Sequence, residues 1–472
     1  MTQSRTVVER GLKEKDIQIA CIGLGFVGYN SALEFSRTEY PVVGIDTNAE
    51  LIESIRSGNS PFETAELAEY IDEGESQVST QIADAADAEV YVISVSTPVD
   101  ADDTPNLSYV RSAARDVSTV LDPGNLVVLQ STVYPGCTRH ELVPELESSG
   151  LEAGVDIGVS HVPERYSPGD GTPTRTTRVV GSITEEWCDV TADLYEDVAD
   201  STAAVSSLEV AEATKLLENT QRDVNIALMN EFAVAAELIG IDTWEVIESA
   251  ATKWNFQRYE PGLGVGGHCL PVDPHYLREA AEVAGAELRL VSTAREINSS
   301  MPDRHADNIF LALDAIGKSP SSATVAVLGL TYKSNVKDMR NSSALELIRL
   351  LRDENVPVEV FDPQFEPGEP IERTDLSNQS SAMDAVRNAD VVVIATGHRP
   401  FHRLDPFALG ATMRSNPILV DPQRTLDPDA VSESRLITPQ ELGTHFIPDL
   451  GSVESDGGVS VIDEAGEQGC GR

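Results

Sequence analysis

The stretch Asp16–Asp46, DIQIACIGLGFVGYNSALEFSRTEYPVVGID, reads as a buried strand, a glycine turn, a helix to Arg37 and a second strand, PVVGID, which together make one βαβ unit. Within it, Gly23, Leu24, Gly25, Phe26, Val27 and Gly28 form a G-x-G-x-x-G turn. The first glycine permits the tight turn, the second lets backbone approach a pyrophosphate, and the third allows the helix to pack closely on the sheet. The phosphates then meet the free N–H groups and the positive dipole end at the helix N-terminus. Asp46 closes the second strand, 18 residues after Gly28. A carboxylate there hydrogen-bonds both hydroxyls of an adenosine ribose and repels a 2′-phosphate, so the expected cofactor is NAD rather than NADP.

Outward from this unit, apolar runs at AEVYVISVSTP, NLVVLQSTVYPG and VDIGVSHVPER continue the alternation of strands with helical or polar stretches. From Ser206 the pattern changes. Ser206 and Glu209 have capping-box spacing, and LEVAEATKLLENTQRDVNIALMNEFAVAAELIG runs to Gly240 without proline or internal glycine. One helix of roughly 50 Å is expected, a spine joining domains or subunits. After GKSPSSAT the α/β rhythm returns with TVAVLGLTYK, ALELIRLLRDEN, VPVEVFDP, ADVVVIATGH and PILVDPQ. The expected fold class is therefore α/β, two Rossmann-like doubly wound domains joined by a long central helix. The boundaries expected are 1–205 for the NAD-binding domain, 206–316 for the central helical domain, 317–447 for the second Rossmann-like domain, and 448–472 for a disordered acidic tail. Two α/β halves around one spine point to two nucleotide sites.

Charge narrows the partners. A net charge of −44, from 78 acidic against 34 basic residues, repels nucleic acid and anionic lipid. The 41% hydrophobic content and regular apolar runs distinguish the chain from an acidic disordered one, and point to a solvated surface suited to high salt. Five scattered cysteines and the absence of a signal-peptide start predict reduced thiols in a cytoplasm. No apolar run approaches the ~20 residues of a membrane-spanning helix.

The reactive segment is Pro261–Tyr276, PGLGVGGHCLPVDPHY. As a metal site, His268, Cys269 and His275 supply too few ligands at the wrong spacing. As a buried structural thiol, Cys269 has the usual behaviour of free cysteine on its side. Against that, it follows a glycine-rich run suited to close backbone approach. As a nucleophile it needs partners, and Lys215 and Asn219, four apart on the spine, project from one helical face. A lysine would lower the thiol pKa and stabilise an oxyanion, to which the asparagine amide could add a second hydrogen bond. The plainer place for Lys215 is an ion pair with Glu212 or Glu218, yet the chain keeps only seven lysines. A cysteine nucleophile beside NAD implies aldehyde-level chemistry through a thioester.

Taken together, GLGFVG, STVYPG at Ser131, VPERYSPG at Val162, EATKLLENTQRDVNIALMNE at Glu212, PGLGVGGHCLPVDP and GLTYKSNVKDMR at Gly329 make a chain that resembles the UDP-sugar 6-dehydrogenases, over about residues 16–445. The resemblance implies oxidation of a C6 alcohol to a carboxylate with two NAD. It implies Cys269 as the thioester-forming nucleophile, Lys215 and Asn219 around the C6 oxygen, and Asp273 and Glu164 handling water and protons. It also implies Thr97, Thr132 and Arg340 near the cofactor, and Arg165, Tyr166, Arg222, Gly266, Tyr332 and Lys333 as contacts to the nucleotide sugar, whose diphosphate would pair with cations. Lys253 departs from the family's usual histidine or arginine at the place where a residue from a neighbouring subunit commonly reaches the sugar.

VPERYSPG and the histidine of GGHC resemble the branch acting on UDP-N-acetylhexosamines, which orders the expected substrates as UDP-N-acetylmannosamine, UDP-N-acetylglucosamine and UDP-glucose. Asn341 and Ser343 depart from the family's usual acid and proline. A one-step dehydrogenase of the 6-phosphogluconate type would need no Cys269. A nucleotide-sugar binding protein without activity would have lost Cys269 or Lys215. The uninterrupted spine predicts a homodimer or larger homo-oligomer.

Overall fold

Eight short strands, mostly buried on both faces as parallel strands covered by helices must be, form the first sheet. They are β1 (Ile19–Ile22), β2 (Val42–Ile45), β3 (Ser76–Ser79), β4 (Val90–Ile93), β5 (Leu126–Leu129), β6 (Gly158–His161), β7 (Thr177–Ser182) and β8 (Ser201–Ala204). This is a computed structural model, and the residues described are 8, 11–12, 14–59, 66–74, 76–100, 103–165 and 176–444. Tyr166 and the predicted disordered tail lie outside them. The strand order is β3-β2-β1-β4-β5-β6-β7-β8, and its first six members follow the doubly wound dinucleotide-binding order. All neighbours are parallel except β6 and β7, an antiparallel step with no forewarning in the strand pattern.

Register decides where the chemistry gathers. Ile22 at the end of β1 lies opposite both Ile45 and Ile93. The residues that follow these three, Gly23, Asp46 and Ser94, therefore converge at the carboxyl edge of the sheet, at the point where the strand order reverses. Helix α1 (Phe26–Arg37) starts there with Gly25 as its cap and neither a side-chain cap nor an acidic residue in its first turn, a helix start suited to an anion.

The spine is α2 (Leu208–Ile239), 32 residues ending on Gly240 in the left-handed conformation at φ +79°. Its cap is Ser207, whose side chain accepts from the Val210 N–H, and not Ser206 as the capping-box spacing predicts. Glu209, in the first turn, accepts from Arg139 at 2.6 Å. Helix α3 (Asp273–Val283) follows the cysteine segment, and α4 (Arg289–Ala315) packs along the spine.

The second sheet comprises β9 (Val325–Leu328), β10 (Val358–Phe361), β11 (Val391–Ile394) and β12 (Ile418–Val420) in the order β10-β9-β11-β12, all parallel. Helix α5 (Ser343–Asp353) covers one face. In both sheets alternate residues of a strand enter opposite cores: Ile19 and Cys21 one side of the first sheet, Ala20 and Ile22 the other. Cys21 is wholly buried and its thiol is pushed up to about 12 by that burial, so it is packing material.

The turn glycines separate by what surrounds them. A Cβ at Gly28 would overlap the Gly23 carbonyl oxygen, whereas one at Gly25 would meet nothing within 4 Å. Gly28→Ala should therefore cost roughly 1–3 kcal/mol of stability in chemical denaturation. Gly25→Ala should leave stability unchanged while weakening NAD binding in a titration, because its methyl would enter only the space of the ligand.

Candidate active site

The cofactor cradle is built from the convergence at the sheet edge. Gly23, at φ +88°, turns the chain beneath Ser94. The Leu24 N–H donates to Asp46 Oδ2 at 2.7 Å and the Asn48 N–H donates to Asp46 Oδ1 at 2.8 Å. Asp46 is half-buried, so each oxygen keeps a lone pair and access for a ribose hydroxyl. The open space at Gly25 and the start of α1, which has no side-chain cap, are what a dinucleotide pyrophosphate fits. Thr97 is buried beside the Tyr276 hydroxyl, and Thr132 is half-buried in the loop after β5.

That loop is anchored by a residue the sequence reading passed over. Glu212, on the first half of the spine, accepts from the Gly136 N–H at 2.5 Å and the Thr138 N–H at 2.7 Å. Burial pushes its carboxyl up to about 7 against the pull of these donors. Its spacing, one turn before Lys215, was the only signal of a role other than an ion pair.

Neither expected partner takes Lys215. Glu212 is committed to the loop, and Glu218 accepts from Arg165 at 2.6 Å. Lys215 is 8% exposed, and no ion-pair partner lies within 4 Å of it among the described residues. It faces Cys269 and Asp273 instead, lowering the pKa of both. Asn219 donates from Nδ2 to Asp273 Oδ2 and keeps a second N–H for another acceptor. The Cys269 carbonyl accepts from the Val272 and Asp273 N–H groups, at 3.0 and 2.8 Å, which seats the thiol at the head of α3. Cys269 lies at the surface of the cleft, unlike Cys21, Cys137 and Cys188, which are buried, yet protein atoms crowd round its thiol closely enough to desolvate it.

The thiol is not a low-pKa one. Burial, and then the Asp273 carboxylate, push it up to about 11 despite the opposing pull of Lys215 and Arg340. Lys215 pulls the thiol down as the sequence leads one to expect, but desolvation in a crowded cleft is the larger effect. Asp273, 3% exposed, is itself pushed up to about 6 by burial, which Asn219 and Lys215 only partly offset. His275 Nδ1 lies 3.8 Å from Asp103 Oδ2.

The glycines before Cys269 allow a close approach to the second sheet. A Cβ at Gly264 would fall 2.6 Å from Ser343 Oγ, one at Gly266 would fall 2.5 Å from the Asn341 carbonyl oxygen, and one at Gly267 would fall 2.8 Å from the Tyr332 ring. They let the loop lie directly on the second sheet's Tyr332 and Arg340–Ser343 segments. The Gly267 N–H donates to the Arg340 carbonyl and the Asn341 Nδ2 donates to the Gly267 carbonyl, both at 3.0 Å. An acid at 341 could only accept, so asparagine supplies a bond its usual replacement cannot.

Glu164 belongs to a second cluster. It is ion-paired with Arg178, which also holds Glu34 of α1 at 3.1 Å, and Gln130 Nε2 donates to it at 3.5 Å. Arg222 is exposed on the spine, and Lys253 is exposed after the helix Thr243–Ala251, so neither joins Cys269 within one chain. Lys333 is half-buried beside Tyr332. A cavity of about 650 Å³ opens between the spine's end and the carboxyl end of β12, lined by Trp244, Gly262, Arg304, Asp421 and Arg424. Cys269 does not line it.

Models of the UDP-glucose/GDP-mannose dehydrogenase family match in three consecutive pieces: the NAD binding domain over residues 17–199, the central domain over 209–300 and the UDP binding domain over 326–428. The chain is 37% identical over 412 residues to the UDP-N-acetyl-D-mannosamine dehydrogenase of Pyrococcus horikoshii, covering 86% of this chain and 95% of that protein. It is 33% identical over 419 residues to the UDP-N-acetyl-D-glucosamine 6-dehydrogenase of Pseudomonas aeruginosa, covering 88% and 98%. The solved structure of the UDP-D-ManNAc dehydrogenase from Pyrococcus horikoshii superposes with a TM-score of 0.82 at 35% identity, covering 90% of this chain and 99% of that one.

The two groups that bias the thiol in opposite directions give a direct test. Asp273→Asn removes a negative charge, so Cys269 should titrate below 11 and react faster with iodoacetamide at pH 8. Lys215→Met should raise the thiol further and slow that reaction. Peptide-resolved mass spectrometry reads Cys269 alone; equal rates in both variants would contradict the cluster.

Proposed function

The chain belongs to the UDP-glucose/GDP-mannose dehydrogenase family, and from that premise we propose that it oxidises the C6 hydroxyl of UDP-N-acetyl-D-mannosamine to the carboxylate of UDP-N-acetyl-D-mannosaminuronate. The observation that carries the chemistry is the cluster of Cys269, Lys215, Asn219 and Asp273 at the head of α3. NAD, held in the Gly23–Gly28 cradle with Asp46 on its ribose, supplies two hydride acceptances per sugar.

Lys215 and the free N–H of Asn219 hold the C6 oxygen as its proton leaves and the alcohol becomes an aldehyde. Cys269 then adds to that aldehyde. Its proton passes to Asp273 as the C–S bond forms, and Lys215 stabilises the hemithioacetal oxyanion. Loss of the second hydride leaves a thioester on Cys269. Asp273 and Glu164 direct water onto it, the C–S bond breaks, and the thiol regains its proton. In total, one alcohol, two NAD⁺ and one water give one carboxylate, two NADH and three protons.

Thr97, Thr132 and Arg340 are assigned to the nicotinamide side, and Arg165, Tyr166, Arg222, Gly266, Tyr332 and Lys333 to the nucleotide sugar. UDP-N-acetylglucosamine is the second reading, supported by the relative that acts on it.

The assembly is a homodimer or larger in a salt-rich cytoplasm. Its paired surface is the exposed apolar set on and after the spine, Leu217, Leu228, Leu238, Ile239 and Trp254, the last 92% exposed. Lys253 then comes from the partner. The product is an activated uronic acid suited to surface polysaccharide or protein glycosylation.

In molar salt, incubation with NAD and each UDP-sugar should release two NADH per UDP-N-acetylmannosamine consumed. Cys269→Ala should abolish acid formation. A single NADH per sugar, or acid production untouched by Cys269→Ala, would falsify the thioester route. Light scattering at the same salt should give at least twice the 50.8 kDa chain mass.

A further inference from the structure

The second sheet repeats the cofactor cradle of the first and then closes it. In the first, the Gly23 N–H donates to the Ile45 carbonyl at 2.7 Å and the Leu24 N–H donates to Asp46 Oδ2 at 2.7 Å. In the second, the Gly329 N–H donates to the Phe361 carbonyl at 2.9 Å and the Leu330 N–H donates to Asp362 Oδ2 at 2.6 Å. Gly23 and Gly329 share the left-handed conformation, at φ +88° and +86°. Asp362 thus occupies the ribose-binding place of Asp46.

The two acids differ in what remains to them. Asp362 is 0% exposed. Its Oδ2 also accepts from the Thr331 N–H at 3.2 Å and meets His398 Nε2 at 3.0 Å, while Oδ1 accepts from the Gln364 N–H at 2.8 Å. No access is left for a ribose diol.

His398, also 0% exposed, faces two ways. Its Nδ1 accepts from the Asn335 N–H at 3.0 Å, so the ring proton sits on Nε2 and donates to Asp362. Asn335 reaches it through a left-handed backbone at φ +62°, which asparagine tolerates. Around this ring the two loops are stitched together. The Thr396 hydroxyl donates to the Thr331 carbonyl at 2.6 Å, Ser334 to the Gly397 carbonyl at 2.8 Å, and the Arg399 N–H to Asn335 Oδ1 at 3.0 Å. Enclosed by these bonds are Tyr332 and Lys333.

We propose that Asp362 and His398 are a positioning pair: the ribose acid of a second dinucleotide cradle, turned inward onto a histidine, fixes the Thr331–Asn335 loop so that Tyr332 and Lys333 meet the nucleotide sugar. The proposal rests on the assignment of Tyr332 and Lys333 as substrate contacts. It makes His398 a determinant of substrate affinity that touches neither substrate nor thiol.

The test uses the full chain in molar salt. His398→Ala should raise KM for the UDP-sugar about tenfold or more, leave KM for NAD unchanged and kcat within about twofold, and abolish hydrogen-exchange protection of the Asn335 amide. His398→Gln keeps a donor for Asp362, and so the fold, while leaving the Asn335 N–H without its acceptor; it should show the same KM split if the alanine variant does not fold. His398→Asn, which replaces the Nδ1 acceptor, should restore Asn335 protection and part of the affinity. Unchanged sugar KM, or parallel losses for NAD and sugar, in the glutamine variant overturns the pair. Lys333→Ala separates the two layers. If it leaves the sugar KM unchanged, the substrate assignment fails; if it raises KM while the His398 variants do not, only the positioning pair fails.

Discussion

The cysteine loop has to lie against the second sheet with no side chains between, and the rest of the site depends on that contact. Positions 264, 266 and 267 are each filled, where a Cβ would stand, by Ser343, Asn341 or Tyr332. Any larger residue would drive the loop off the second sheet. It would then separate the thiol at the head of α3 from Arg340, and the first sheet's cradle from Tyr332 and Lys333. The loop is held on its other side as well, by a buried chain of amides: the Gly262 N–H donates to Asn230, Asn230 to Asn298, and Asn298 to Asp223, which is ion-paired with Arg295 at 2.6 Å.

Buried carboxylates do the positioning in a molecule whose surface is crowded with them. Glu212, Asp273 and Asp362 are almost inaccessible, and each is held by donors that do not come from bulk water. The consequence differs with the donors. At Asp362 burial is outweighed by His398 and then by backbone N–H groups, which hold the carboxyl below its ordinary range, whereas burial wins at Glu212 and Asp273. One residue type thereby supplies a fixed anchor in one place and a proton-handling group in another.

Much of this was legible in the sequence, for reasons that are local. The turn at Gly23–Gly28, the spine to Gly240 and the second α/β run each announce themselves within a few tens of residues. What was not legible depended on distant partners. Ser207, not Ser206, caps the spine, and Glu209 pairs with Arg139, 70 residues away. The thiol's high pKa comes from enclosure, which no spacing encodes. Asp362 reads in sequence as a strand-ending acid like Asp46, and only the fold reveals that His398 has taken its free face. Glu164 sits with Arg178 and Glu34 because β6 and β7 are antiparallel neighbours, a pairing that short apolar runs do not specify.

The spine carries these parts in a fixed sequence. Glu212 holds the loop after β5, Lys215 and Asn219 face the thiol, Asp223 and Asn230 steady the cysteine loop, and Glu237 reaches Arg304 at the edge of the cavity. A continuous α-helix has no slack. One residue inserted midway would turn everything beyond it by about 100° and shift it by about 1.5 Å. Loops in this architecture can lengthen or shorten through descent, but the 32-residue rod cannot. Its length is a quantity that the fold imposes on the chain, independent of which side chains the helix bears.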